Sequence, residues 1–260
     1  MGVTDLLSVG SGSLVGFSLG LLGGGGSILA VPLLVYLVGV GSTHLAIGTS
    51  ALAVAVNAFA NLIPHSRAGN VKWPCALVFA ICGIAGAAGG AALGKSVDGT
   101  HLLFLFGLVM VAVALAMLTR RAAAAGDPDV RITPTIAVQL AGTGLLVGAL
   151  SGFFGIGGGF LIVPAIMLGA GMATINAVAS SLVSVGAFGL TTAASYALAG
   201  MVDWRVACFF ILGGVLGGLA GTKLAGRLSG RRGALTRIFA VVVLVVAGFI
   251  LWRSARTMLG

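Results

Sequence analysis

Apolar runs recur along nearly the whole chain, broken by short clusters of Arg, Lys, Asp, Pro and Gly. Ten can be drawn: 3–22, 27–41, 44–63, 74–94 and 101–119, then 134–154, 159–170, 174–199, 206–226 and 236–252. A helix needs about 20 apolar residues to cross roughly 30 Å of hydrocarbon. Most of the runs reach that length, but the second run of each group does not. Its 12–15 residues extend only about 18–22 Å as a helix. Glycine clusters, Gly23–Gly26 and Gly155–Gly159, stand before these short runs. The pattern predicts either two helices folding back at a Gly-rich tip or a span with an unwound centre. Unwound backbone at membrane depth survives only where protein buries it or a polar cavity satisfies it.

The two groups of runs are copies of one unit. Gly16–Pro32 and Gly148–Pro164 align at an offset of 132. The matches are Gly16/Gly148, Gly20/Gly152, Gly23/Gly155, Gly25/Gly157, Gly26/Gly158, Leu29/Leu161, Val31/Val163 and Pro32/Pro164. Glycine richness alone would not also align Leu, Val and Pro. The offset then slips to 131: Thr49-Ser50 faces Ser180-Ser181, and Gly69, Val71 and Trp73 face Gly200, Val202 and Trp204. Repeats should be sought before any other organisation. They divide the chain into 1–125, a polar linker at 126–131 expected to be exposed, and 132–260. The expected fold is an all-α integral membrane protein of two repeats, each with an interrupted or re-entrant hairpin and about three full transmembrane helices.

Composition agrees with a bilayer. Hydrophobic residues make up 59% and charged residues 7% of the 260, too little charge to cover a soluble domain of this size. Residues Met1 to Leu7 hold no basic cluster of the kind that opens a cleavable signal peptide. The net charge of +9 sits in short loops, where it sets topology and meets anionic headgroups; nucleic acid is not an expected partner. Arg67 and Lys72 follow the third run of the first unit, whereas Arg227, Arg231, Arg232 and Arg237 follow the fourth run of the second. The basic loop changes place between the copies. Opposite topologies are therefore expected, with a cytoplasmic linker and both termini outside. Arg253 and Arg256 run against the last point. Cys75, Cys82 and Cys208 read as inert buried thiols, with no metal site.

The paired glycine motifs, the steps at Thr49–Ala51 and Ser180–Leu182, and the Gly-x-Val-x-Trp loops at Gly69–Trp73 and Gly200–Trp204 resemble the TauE/SafE sulfite exporter family. This group of bacterial and archaeal permeases is also called the 4-toluene sulfonate uptake permeases. The resemblance covers nearly the whole chain. It implies secondary transport of small sulfur-containing anions, such as sulfite or organosulfonates, across the cell inner membrane. The copies are only pseudo-symmetric, because Ile156 stands for Gly24 and Gly159 for Ser27.

Transporters built from inverted repeats hold substrate near the midplane, where half-helix N-termini offer free N–H groups to an anion. The candidate binding residues are Gly25, Gly26 and Ser27, their counterparts Gly157, Gly158 and Gly159, and the neighbouring Thr49, Ser50, Asn57, Ser180 and Ser181. The bland reading gives the glycines to helix packing and the hydroxyls to interhelical hydrogen bonds. His44 is the candidate proton carrier, with protons the candidate coupling ion. Lys95, Lys223 and Arg205 are read as snorkelling to headgroups. All five acids, Asp5, Asp98, Asp127, Asp129 and Asp203, lie in loops or at run ends, which fits an anionic substrate. No phosphate-binding loop or other cofactor signature occurs. A passive anion channel and an intramembrane serine enzyme are the alternatives, the latter lacking a deep base. A homodimer is compatible with the sequence.

Overall fold

The computed structural model describes residues 2–119, 126–127, 130–155, 159–227 and 232–259. The long helices are α1 (Val3–Leu22), α3 (Thr43–Arg67), α4 (Trp73–Ser96), α5 (Gly99–Thr119), α6 (Pro134–Phe154), α8 (Thr174–Ala197), α9 (Trp204–Arg227) and α10 (Arg232–Leu259). Among the described residues these eight are long and apolar enough to cross a membrane. The two short runs become an interrupted segment and α7 (Gly159–Ala170). The interrupted segment starts as a 3-10 helix at Gly23–Leu29, passes through α2 (Ala30–Leu33) and ends as a π-helix at Leu34–Val38. Among the described residues the chain is thus all-helical, with the spans of a multi-pass membrane protein.

Local signals set the helix ends. Ser42 and Thr133 cap α3 and α6 through bonds from the Leu45 and Ile136 amides. Pro74 and Pro134 stand in first turns, where an amide hydrogen is not needed. Gly69 and Gly200, equivalent in the repeats, both adopt φ +71° and close the same turn after α3 and α8.

Packing follows the repeat. α1 lies along α9, α4 along α6, α3 along α8 and α5 along α10. A Cβ on Gly16 would overlap the Gly214 carbonyl, and one on the equivalent Gly148 would overlap that of Gly83. Gly20 on Gly218 is matched by Gly152 on Ala87, and Gly12 on Phe210 by Gly144 on Phe79. Residue numbers rise together across these contacts, so α1 runs parallel to α9 and α4 to α6. Across α3 and α8 they run in opposite senses: Gly48 meets Tyr196, Ala55 meets Gly189 and Phe59 meets Gly186. Lipid tails are as apolar as Leu, so close backbone approach over small residues is what holds such helices together.

The bundle has two distinct ends. Asp127 pairs with the loop before α8: its amide donates to Gly171 O at 3.0 Å and its carbonyl accepts from Ala173 N at 3.1 Å. The linker is therefore pinned at this point, although the Asp127 side chain is exposed as expected. The loop holding Lys72 lies at the same end, because Lys72 N donates to Ser180 Oγ at 3.0 Å. The far end holds Asp203, Thr49 and the start of α9, joined by a 2.9 Å bond from Asp203 N to Thr49 Oγ1. Arg253 and Arg256, which ran against the topology expectation, are turned over the rings of Tyr36 and Trp252 at 4.9 and 4.5 Å. Cys75 is buried as expected, but Cys208 is exposed on the apolar outer face of α9.

Candidate functional site

The glycine tips follow the two long helices α1 and α6. At 20 and 21 residues, α1 and α6 are each about 30 Å long, a full crossing. Each carries its tip to the opposite side. Gly20, three residues before the first tip, contacts Gly218 and Thr222 near the end of α9. Gly155, opening the second tip, contacts Ile47, one turn into α3. The tips therefore lie toward opposite ends of the bundle. Gly25 belongs to the 3-10 turn; Gly26 rests against the Ser18–Leu19 backbone and Ser27 is fully buried. Gly159 begins α7 and is buried, while Gly157 and Gly158 lie outside the described residues.

Thr49, Ser50, Asn57, Ser180 and Ser181 are all fully buried or nearly so on the central pair α3 and α8. Their bonds repeat across the pseudo-symmetry. Thr49 holds the Asp203 amide as Ser180 holds the Lys72 amide, so each clasps the loop that starts a helix of the other unit. Ser50 donates to Ile47 O at 3.0 Å, and Ser181 to Val178 O at 2.8 Å. Thr49 also donates to Leu45 O and Ser180 to Met172 Sδ, so both hydroxyls have structural work.

Asn57 breaks the symmetry. It lies close to the middle of α3, fully buried, and neither Oδ1 nor Nδ2 has a partner among the described residues. An unpaired buried polar group costs about 1–3 kcal/mol, and this amide has two such atoms. The amide rests on Gly214 of α9, whose carbonyl faces Gly16 of α1. Three helices from both repeats thus meet at one unsatisfied amide. The equivalent position in the other unit is Phe188, whose ring rests on Gly83 and stacks on Phe79 at 6.1 Å between centroids. Half of the molecule presents a polar junction here and the other half a closed aromatic one. Further buried hydroxyls without partners among the described residues are Ser11, Ser151, Ser184 and Thr192.

A second polar group sits at the end away from the linker. Tyr196 is fully buried, and its hydroxyl has no partner among the described residues. The His44 ring lies 6.3 Å away with Nδ1 buried and unpartnered. Lys95 does not snorkel outward: its Nζ donates to Ser195 O at 3.1 Å and lies 5.9 Å from the Tyr196 ring centroid. Sequence reasoning missed Tyr196; its only signal was a phenol at the end of an apolar run. Arg205, whose side chain stays exposed, donates through Nε and Nη2 to both oxygens of the 4% exposed Asp5 at 3.0 and 2.9 Å. Asp98 accepts from Thr100 N at 2.8 Å, which lowers its carboxyl pKa and caps α5. A cleft of about 400 Å³ between α5, α6 and α7 is apolar apart from Thr143 and opens beside the exposed Leu146 and Leu168. It faces the lipid and offers nothing to an ion.

The comparisons with known proteins bear on this bundle as a whole. The family model described as Sulfite exporter TauE/SafE matches residues 8–250. A "Probable membrane transporter protein" of Xylella fastidiosa (strain Temecula1) is 52% identical over 249 residues, covering 96% of this chain and 95% of its own. The probable membrane transporter protein YunE of Bacillus subtilis is 26% identical over 249 residues, covering 87% and 89%. A counterpart in Methanocaldococcus jannaschii is 29% identical over 189 residues, covering 69% and 67%. No solved structure matches the chain. These are names of transporters, with no catalytic activity implied. The chain belongs to the sulfite exporter TauE/SafE family of membrane transporters.

Proposed function

We propose that this protein is a secondary transporter of small sulfur-containing anions, sulfite or organosulfonates, across the cytoplasmic membrane. Its units, 1–125 and 132–260, are inverted repeats joined by a cytoplasmic linker at 126–131. The antiparallel α3 and α8 support that inversion, as does the gathering of Lys72 and Asp127 at one end. The observation that carries the function is the buried, unpartnered Asn57 amide where α1, α3 and α9 meet. A membrane interior tolerates such a group where a substrate passes. Its Nδ2 donates to an anionic oxygen, Ser50 and Ser181 lie on the same central helices, and no carboxylate among the described residues is buried at that depth to repel an anion. Gly25–Ser27 and Gly157–Gly159 are offered as further substrate contacts, the described Ser27 and Gly159 both being buried.

Counterflow in liposomes with sulfite, thiosulfate, taurine, sulfoacetate and acetate tests this. A carrier saturates and is stimulated by substrate on the opposite side; a channel does neither. Asn57→Asp places a carboxylate at the junction and should abolish anion flux, while Asn57→Ala should raise KM about tenfold, the loss of one charge-assisted hydrogen bond. Normal saturable flux in both variants would remove Asn57 from the site. Protons couple either through His44 or through sulfite's own titration near neutral pH. His44→Gln should keep proton-linked flux; its complete loss with binding retained would make His44 the coupling residue.

A further inference from the structure

Tyr196, Lys95 and His44 come together from α8, α4 and α3 at the end of the bundle away from the linker. Each arrives with unused hydrogen-bonding capacity. The Tyr196 hydroxyl is fully buried without an acceptor, and His44 Nδ1 is buried without a partner, both among the described residues. Lys95 spends one of its three N–H donors on Ser195 O and is drawn inward over the phenol ring. The counterpart of His44 is Ile175 at the offset of 131 that aligns α3 with α8, or Asn176 at 132, whose Nδ2 donates to Asn70 O at 2.9 Å.

We propose that these three side chains form a receiving site for an oxyanion at the mouth opposite the linker, distinct from the Asn57 junction. This inference rests on the anion-transport reading above. The carboxylates of this end are engaged. Asp5 is neutralised by the two-bond pair with Arg205, Asp98 accepts from Thr100 N and lies 3.4 Å from the His101 ring, and Asp203 Oδ1 accepts from Val206 N. That leaves the Lys95 ammonium as the charge facing Tyr196. An ammonium, a phenolic O–H and an imidazole nitrogen supply donors to two or three oxygens of a sulfite or sulfonate group. A lipid phosphate offers the same oxygens, and the experiment separates the two.

The experiment measures initial uptake of sulfite and of methanesulfonate into right-side-out membrane vesicles, with expression followed alongside. Lys95→Met should raise the outside KM about tenfold, equivalent to about 1.4 kcal/mol, and Tyr196→Phe about threefold, each with maximal flux within about twofold of the parent. Lys95→Arg should restore the low KM. A second measurement covers a variant that folds poorly. Lys95→Cys, in a background with Cys82 and Cys208 replaced, is treated with thiol reagents carrying positive or negative charge. The positive adduct should lower KM and the negative one raise it further. An unchanged KM in both Lys95→Met and Tyr196→Phe, with saturable parent flux, overturns the receiving site and leaves the transport reading standing. So does an unchanged KM accompanied by loss of a co-purifying anionic lipid, which would make a headgroup the occupant. If the parent carries neither anion but carries an uncharged solute or a cation, the transport reading falls and the site with it.

Discussion

Thr49 and Asn57 are eight residues apart on one helix, both fully buried, yet the structure gives them opposite circumstances. Thr49 accepts the Asp203 amide and donates to Leu45 O; Asn57 has no partner among the described residues. A residue that spends its hydrogen bonds on the fold should report on stability, and one that does not should report on substrate. Thr49→Val orphans the Asp203 amide and should cost about 1–3 kcal/mol of stability, read by thermal unfolding in detergent, with KM for sulfite within about twofold. Ser180→Ala should behave alike through the Lys72 amide. A large rise in KM at unchanged stability would return Thr49 and Ser180 to the binding site. This division was not legible in the sequence, where both are small polar residues in an apolar run. Only the partner 154 residues away separates them.

Helix pairing in this bundle is decided by glycine. Gly16 and Gly148 each place their Cα against the carbonyl of an equivalent residue, Gly214 and Gly83. Gly16→Ala or Gly148→Ala forces backbones apart and should destabilise by about 1–3 kcal/mol or more, as overpacking of a close interface does. Gly142 is the control on α6: a Cβ there meets nothing within 4 Å, and Gly142→Ala should be neutral or stabilising by up to about 1 kcal/mol. Equal losses at Gly16 and Gly142, measured by thermal unfolding, would detach stability from helix contact. Much of this was legible beforehand. The spacing of Gly16 and Gly20 gave a packing face, and the predicted runs other than 27–41 became single helices near their expected bounds, the last extending to Leu259. The ends to which α1 and α6 carry the glycine clusters follow from the full length of those helices, about 30 Å, which was not weighed with the clusters. The short length of the second runs was read correctly, but not the mixed 3-10, α and π geometry of 23–38, which no periodicity announces.

At the scale of the whole molecule, the sequence repeat and the spatial pairing have the same symmetry. α1 pairs with α9 and its counterpart α6 with α4, while α3 and α8 pair with each other in opposite senses. A two-fold relation that reverses the central helices makes the units inverted if both helices cross the bilayer. Two equivalent loops then provide a direct test. Ala68 follows α3 and Ala199 follows α8, both exposed and both beside the matching glycines Gly69 and Gly200. In a parallel duplication equivalent loops share a side; in an inverted one they cannot. Single cysteines at Ala68 and Ala199, in a background without Cys82 and Cys208, should react with an impermeant maleimide from opposite faces. Ala68 should be reached only from the cytoplasm, on the side of Lys72 and the linker, where basic residues are retained during insertion. Ala199 should be reached only from outside, on the side of Asp203, Lys95 and Tyr196. Labelling of both from one face would remove the inversion, and with it the physical basis for exchanging access to Asn57 by rocking one unit against the other.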